Sequence, residues 1–264
     1  MNFILTMMEI EGDHGAMSFK SWIRGEFRSK QMKTHVLIST GGITAFLVMS
    51  YRYYIRENAY SMFTHLISDL GNWQANPKGW WIFSLAMVFT GIMTYPIINY
   101  IEKNLEFMNK QAISIGAWTL RANAIGTIII GCIPLVREPT GLGISFYDLH
   151  AIFTYLSLIC YFIGMGCWVE FFIKHPKISP NNFPETQDVR PKFNFTPILP
   201  LIVLFIIISL LALITQFFSE YLWIESLEKF YAREFWEWML FYSYFLVNYP
   251  LALFIAAANK NDGM

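Results

Sequence analysis

Four side chains in this sequence carry enough chemistry to share a site. His65 and Asp69 stand four apart in SMFTHLISDLGNWQANPKGWW (residues 61–81), His150 lies two residues after Asp148 in SFYDLHAIF, and Glu237 sits in AREFWEWML. Imidazole and carboxylate groups are general acids and bases. Together they also form a nitrogen-and-oxygen ligand set, but no HExxH or comparable spacing organises them, so no metal site is expected. Ser61 or Ser68 beside His65 could start a nucleophilic triad, yet neither serine sits in a nucleophile elbow. A paired-carboxylate acid/base site has no better support.

The elements that must position these residues are set by composition. The chain has 264 residues, 55% hydrophobic, 18% aromatic and only 14% charged. Soluble chains carry about 25% charged residues. The apolar residues fall into blocks of about twenty, the length that crosses roughly 30 Å of hydrocarbon as helix. Six spans are predicted, near 34–55, 80–102, 112–136, 149–173, 198–219 and 234–258, with Pro96, Pro134 and Pro250 tolerated inside them. The expected fold is all-α: a polytopic six-transmembrane-helix bundle. Gly42, Ala122, Gly126, Gly131, Gly164 and Gly166 offer small faces for close helix contact. Formal net charge is zero, which leaves no basic excess for nucleic acid.

Orientation follows from lysine and arginine. With the N-terminus inside, residues 20–33, the loops carrying 103–110 and 174–192, and Lys260 put twelve cations in the cytoplasm. The opposite side receives five: Arg56, Lys78, Arg137, Lys229 and Arg233. Positive-inside asymmetry therefore predicts that both termini are cytoplasmic. The expected organisation is a cytoplasmic amphipathic segment over 1–33, a membrane domain over 34–258 and a short cytoplasmic tail over 259–264. The start MNFILTMMEIEGDHG lacks a basic n-region, so the first span is expected to act as an uncleaved anchor. Phe19, Trp22, Ile23 and Phe27 share one face of a helix expected to lie in the inner interface. The proline-rich loop 174–197 is expected to be an extended linker.

This topology brings residues 56–80, with a short amphipathic helix near Met62–Leu70, to the outer side. On that helix His65 and Asp69 would touch at i, i+4. Arg137, Glu138, Asp148, His150, Glu234 and Glu237 reach the same side. Local roles compete for several of them: Asp148 as a helix N-cap, Glu234 as a favourable first-turn carboxylate. Inside the bilayer, Arg121 and Glu170 read as an ion pair or as two snorkelling groups. A proton or ion pathway would require a chain of polar side chains through several helices, and none is visible. Trp73, Trp80, Trp81, Tyr221, Trp223, Trp236 and Trp238 suit an outer aromatic belt. Cys132, Cys160 and Cys167 all fall in spans and read as packing residues, not as a disulfide framework.

The element HLISDLG…NP after the first span, followed by LHAIFTYLSLICYFIG at the fourth, resembles a family of small six-helix membrane proteins from archaea and bacteria. It is also similar to the eukaryotic DRAM/Sfk1-type family, with its ISD element, a histidine opening the fourth helix and a Glu-Trp pair near the last, here Glu237-Trp238. The resemblance implies a role in lipid organisation or remodelling without implying a reaction or a cofactor. It marks Asp69, His150 and Glu237, with Ser68, Gly71 and Pro77 as supporting backbone positions. The expectation is a protein of lipid handling or membrane organisation whose partner is membrane lipid. Its cluster of Asp69, His150 and Glu237, flanked by His65, Arg137, Asp148 and Trp238, would gather loop 1 against the fourth and sixth helices. Two alternatives stand beside it: a membrane-embedded lipid hydrolase or acyltransferase with those three residues catalytic, and a small transporter.

Overall fold

The computed structural model describes residues 17–54, 60–61, 63, 65–107, 109–141, 143–178, 193–218 and 233–261. A five-residue helix, α1 (Phe19–Ile23), precedes α2 (Ser29–Tyr53), α3 (Trp80–Leu105), α4 (Lys110–Cys132), α5 (Phe146–Lys174), α6 (Leu199–Phe218) and α7 (Arg233–Asn261). Six of these, α2 to α7, are long and apolar enough to cross a membrane. They coincide with the six predicted spans to within a few residues, and the all-α six-helix bundle stands. The departures are at α2, which begins at Ser29, five residues before the expected 34, and at α4, which ends at Cys132 because Ile133 is extended. Proline at 134 disfavours helical backbone in the residue before it. Pro96 and Pro250 do lie inside helices, as expected. The two ends of the loop after α5 are paired, β1 (Lys177–Ile178) lying antiparallel to β2 (Phe193–Asn194). Its proline-rich centre lies outside the described residues, as do the chain ends and Tyr221, Trp223 and Lys229.

Caps fix where the helices begin. Asn109 Oδ1 accepts from the Ala112 N–H at the start of α4, 3.1 Å away. At α5 the cap is Ser145, not Asp148: Ser145 Oγ accepts from the Asp148 N–H and Asp148 accepts from the Ser145 N–H. This reciprocal arrangement satisfies two donors that a helix start leaves free.

Antiparallel α4 and α5 form the tightest pair, and small residues allow it. A Cβ at Gly116 would lie 2.4 Å from the Trp168 ring, and one at Gly164 would lie 2.6 Å from Leu120. Trp168 donates from Nε1 to the Ile113 carbonyl at 3.2 Å. Nearer loop 1, Asn123 Nδ2 donates to Ser157 Oγ at 2.8 Å while Ser157 Oγ donates to the Asn123 carbonyl at 3.1 Å. Two polar groups thus answer each other where lipid offers no partner. Gly166 is not part of any such contact, and Ala122 is exposed.

The amphipathic N-terminal segment does not form one long interfacial helix. It stops after α1 and turns at Gly25, whose φ of 68° and whose approach to Tyr100 (2.3 Å from a Cβ to the backbone N) only glycine accommodates. Trp22 is buried in the bundle and donates to His35 Nδ1 at 3.4 Å. Asn99 Nδ2 holds the Ile23 carbonyl at 2.6 Å. Phe19 alone of the four expected face residues is recorded as widely exposed, at 60%.

Arg121 does not pair with Glu170. It bonds Glu102 directly, donates from Nε to Asn99 Oδ1 at 2.6 Å and lies over the Trp118 ring. Glu170 instead meets Lys174 at 2.5 Å on an exposed face. Arg121→Met is expected to destabilise the protein by about 1.5–3 kcal/mol in detergent unfolding, because half-buried Glu102 loses its charged partner. The double replacement Arg121→Met with Glu102→Met is expected to recover most of that loss.

Candidate functional site

Loop 1, between α2 and α3, is built around one asparagine. Asn76 is fully buried, and its Nδ2 donates to the Leu70 carbonyl at 2.9 Å and to the Ser50 carbonyl and Oγ at 3.2 Å. This ties the loop to the last turn of α2. The chain before it makes a single turn, closed by His65 N–H on the Ser61 carbonyl, and then a 3-10 turn at Ile67–Gly71. The expected continuous amphipathic helix is therefore broken at Leu66, and His65 and Asp69 do not share a helix edge. Asp69 Oδ2 accepts from the Leu66 N–H at 2.9 Å, stabilising the 3-10 turn.

The described part of loop 1 meets α7 through aromatic rings. Tyr60 donates to the Leu66 carbonyl at 2.7 Å and stacks on His65, their ring centres 4.9 Å apart. Trp238 is buried, not part of a belt, and donates from Nε1 to the His65 carbonyl at 3.3 Å. Burial raises the Tyr60 phenol above its usual pKa, and the carboxylates of Asp69 and Glu237 add to that push. Those two carboxylates are therefore within electrostatic reach of one phenol. On the other flank, the Leu135 N–H donates to the Gly71 carbonyl at 3.4 Å and the Tyr147 N–H to the Val136 carbonyl at 2.7 Å. Loop 1 and the starts of α5 and α7 thus gather at one end of the bundle.

Other sequence-derived residues at that end also have local roles. His150 is buried and its Nδ1 lies 3.0 Å from the Ile133 carbonyl, an exchange local to the α4–α5 connection. Arg137 lies over the Tyr147 ring at 5.7 Å, and Asp148, exposed, serves the α5 cap. Among the described residues no three His, Cys, Asp or Glu side chains are arranged to hold a metal ion.

What the sequence reading did not contain is a cavity of about 130 Å³ beneath loop 1. Ile67 and Ser68 border its loop end together with Glu237, and α3, α4, α5 and α7 supply the walls. The polar wall residues are turned to backbone: Thr90, Thr127 and Thr154 each donate to the carbonyl one turn back, and Asn123 and Ser157 to each other. The inner surface is thus largely apolar, with Met87, Ile130, Leu240 and Phe245 among its residues, and its carboxylate lies near the loop end. Tyr161, Leu240 and Tyr244 are buried, whereas Thr154 and Leu158 on α5 and Phe241 and Phe245 on α7 are half-exposed. These half-exposed residues lie on the flank of the cavity between α5 and α7. The two helices touch deeper, where the Tyr161 phenol lies 3.1 Å from Ser243 Oγ.

Fold and site together define a six-helix membrane bundle with a largely apolar cavity at one end. Searches of family models, curated proteins and solved structures find no match to this chain. Asn76→Ala is expected to cost about 1–3 kcal/mol, since it removes the donor for buried carbonyls. Limited proteolysis of the folded protein should then cut loop 1 faster, with the remaining bundle resistant.

Proposed function

We propose that this protein binds a membrane lipid, drawn laterally into the cavity between α5 and α7. The carrying observation is the cavity itself: largely apolar along its depth, with half-exposed residues of α5 and α7 on one flank and Glu237 and Ser68 at the loop-1 end. That division of surface matches an amphiphile lying with its chain towards the bundle centre and its polar group towards loop 1. The excess of cations on the opposite side argues that the loop-1 end faces outward, so the lipid would come from the outer leaflet. The resemblance to the DRAM/Sfk1-type family points the same way, towards lipid organisation and not a defined reaction.

The driving force cannot be ordinary hydrophobic transfer, because a chain in the bilayer is already surrounded by hydrocarbon. Filling space can drive it. At about 24 cal/mol per Å³, a void of 130 Å³ would cost roughly 3 kcal/mol if nothing occupied it. An acyl chain removes that penalty, and contacts of the polar group with Glu237 and Ser68 supply selectivity.

Leu158→Trp, at the half-exposed rim, should narrow the opening without disturbing the buried α4–α5 contact. Native mass spectrometry of the purified full chain is expected to show several-fold less retained lipid for this variant, with helical circular dichroism unchanged. Equal lipid retention in a folded Leu158→Trp protein would reject the lateral site.

A further inference from the structure

At the end of the bundle away from loop 1, the short helix α1 carries charge that the rest of the chain does not answer. Lys20 and Arg24 stand four apart, so they share one side of the turn, and both are exposed. Arg28 and Lys33, at the start of α2, are exposed as well. Among the described residues none of these four has an ion-pair partner, whereas Lys103 and Lys174 meet Glu26 and Glu170. Glu26, the acid closest to Arg24 in sequence, is thus already taken by Lys103 at 3.2 Å.

The depth of α1 is fixed from two sides. Trp22 donates to His35 Nδ1 at 3.4 Å, and His35 lies six residues inside the start of α2 at Ser29. Asn99 holds the Ile23 carbonyl at 2.6 Å, and it lies six residues inside the end of α3 at Leu105. At 1.5 Å per residue both place α1 about 9 Å inward of the helix ends. With 25 and 26 residues, α2 and α3 are about 38 Å long, against roughly 30 Å of hydrocarbon. α1 is therefore held on the flank of the bundle at the level where headgroups meet chains. Phe19 completes the surface. Its ring stacks on Trp22 with centres 5.6 Å apart, yet the residue remains 60% exposed. An open apolar ring and two unpaired cations lie side by side, and long cationic side chains at this depth extend their charged ends to the phosphate level.

We infer that α1 and the start of α2 form a docking surface for an anionic phospholipid, with Lys20 and Arg24 at its headgroup and Phe19 against its chains. The lysine and arginine asymmetry makes this the cytoplasmic leaflet, where acidic lipids give the surface a negative potential. The surface differs from the cavity in leaflet and in charge, since the loop end of the cavity carries the Glu237 carboxylate. It stands whether or not the cavity holds a lipid.

The test is native mass spectrometry of the full chain in detergent, titrated with phosphatidylserine and with phosphatidylcholine of the same acyl chains. Phosphatidylserine is expected to bind on the order of tenfold more tightly at low ionic strength, and added salt should shrink that preference. Lys20→Gln with Arg24→Gln should remove most of the preference, with helical circular dichroism unchanged. Lys110→Gln with Lys177→Gln removes the same charge from the same end of the bundle and should leave the preference intact, as should the exchange Lys20→Arg with Arg24→Lys. An equal loss in the Lys110 and Lys177 variant would mean diffuse attraction without a site on α1 and would overturn the inference. So would an undiminished preference for phosphatidylserine once Lys20 and Arg24 are neutral.

Discussion

Hydrocarbon offers polar groups nothing to bond, and this molecule is arranged by that constraint. Thr90, Thr119, Thr127, Thr154 and Thr215 turn back onto their own helices, Asn123 and Ser157 answer each other across α4 and α5, and Arg121 collects a carboxylate, an amide and an indole face. Each solution joins elements that lipid-indifferent apolar packing would leave free to slide. The α4–α5 pair is fixed in register by such bonds at two levels, the Asn123–Ser157 exchange and the Trp168–Ile113 bond. Glycines between and around those levels let the backbones come close enough for the bonds to form.

The cavity is a by-product of the same rule. Its wall hydroxyls are committed to backbone carbonyls, so space bordered by threonine, serine and asparagine presents mainly methyl and methylene groups. Loop 1 closes the end of that space because Asn76 holds it onto α2, and Trp238 couples it to α7. Asp69 and His65 serve this closure, one by holding the 3-10 turn and the other by stacking on Tyr60. Glu237 is the member of the sequence-derived cluster that borders the cavity itself.

Long apolar windows made the six spans readable, since length and hydropathy alone decide whether a helix can cross. Helix ends were readable where a local signal was strong, as in the Ser145–Asp148 box, although Asp148 fills the box and is not itself the cap. The broken turn at Leu66 was not readable, because the apolar spacing of 62–70 fits a helix while Asn76, farther along, sets the backbone. The partner of Arg121 was not readable for a similar reason. Glu102 lies at the end of its span, where it looks like a loop residue, and only the packing of α3 on α4 brings it to the guanidinium.

The grip of Asn99 on the Ile23 carbonyl spans 76 residues of chain, and Arg121, which steadies Asn99, lies a further 22 residues on. During synthesis α1 must therefore wait for the second and third spans before it can dock in full. At about 5–20 residues per second that delay is roughly 5–20 s, during which the nearby lipid surface is the available shelter for Trp22. The closed bundle is thus latched by α1 only after the middle of the chain has been threaded.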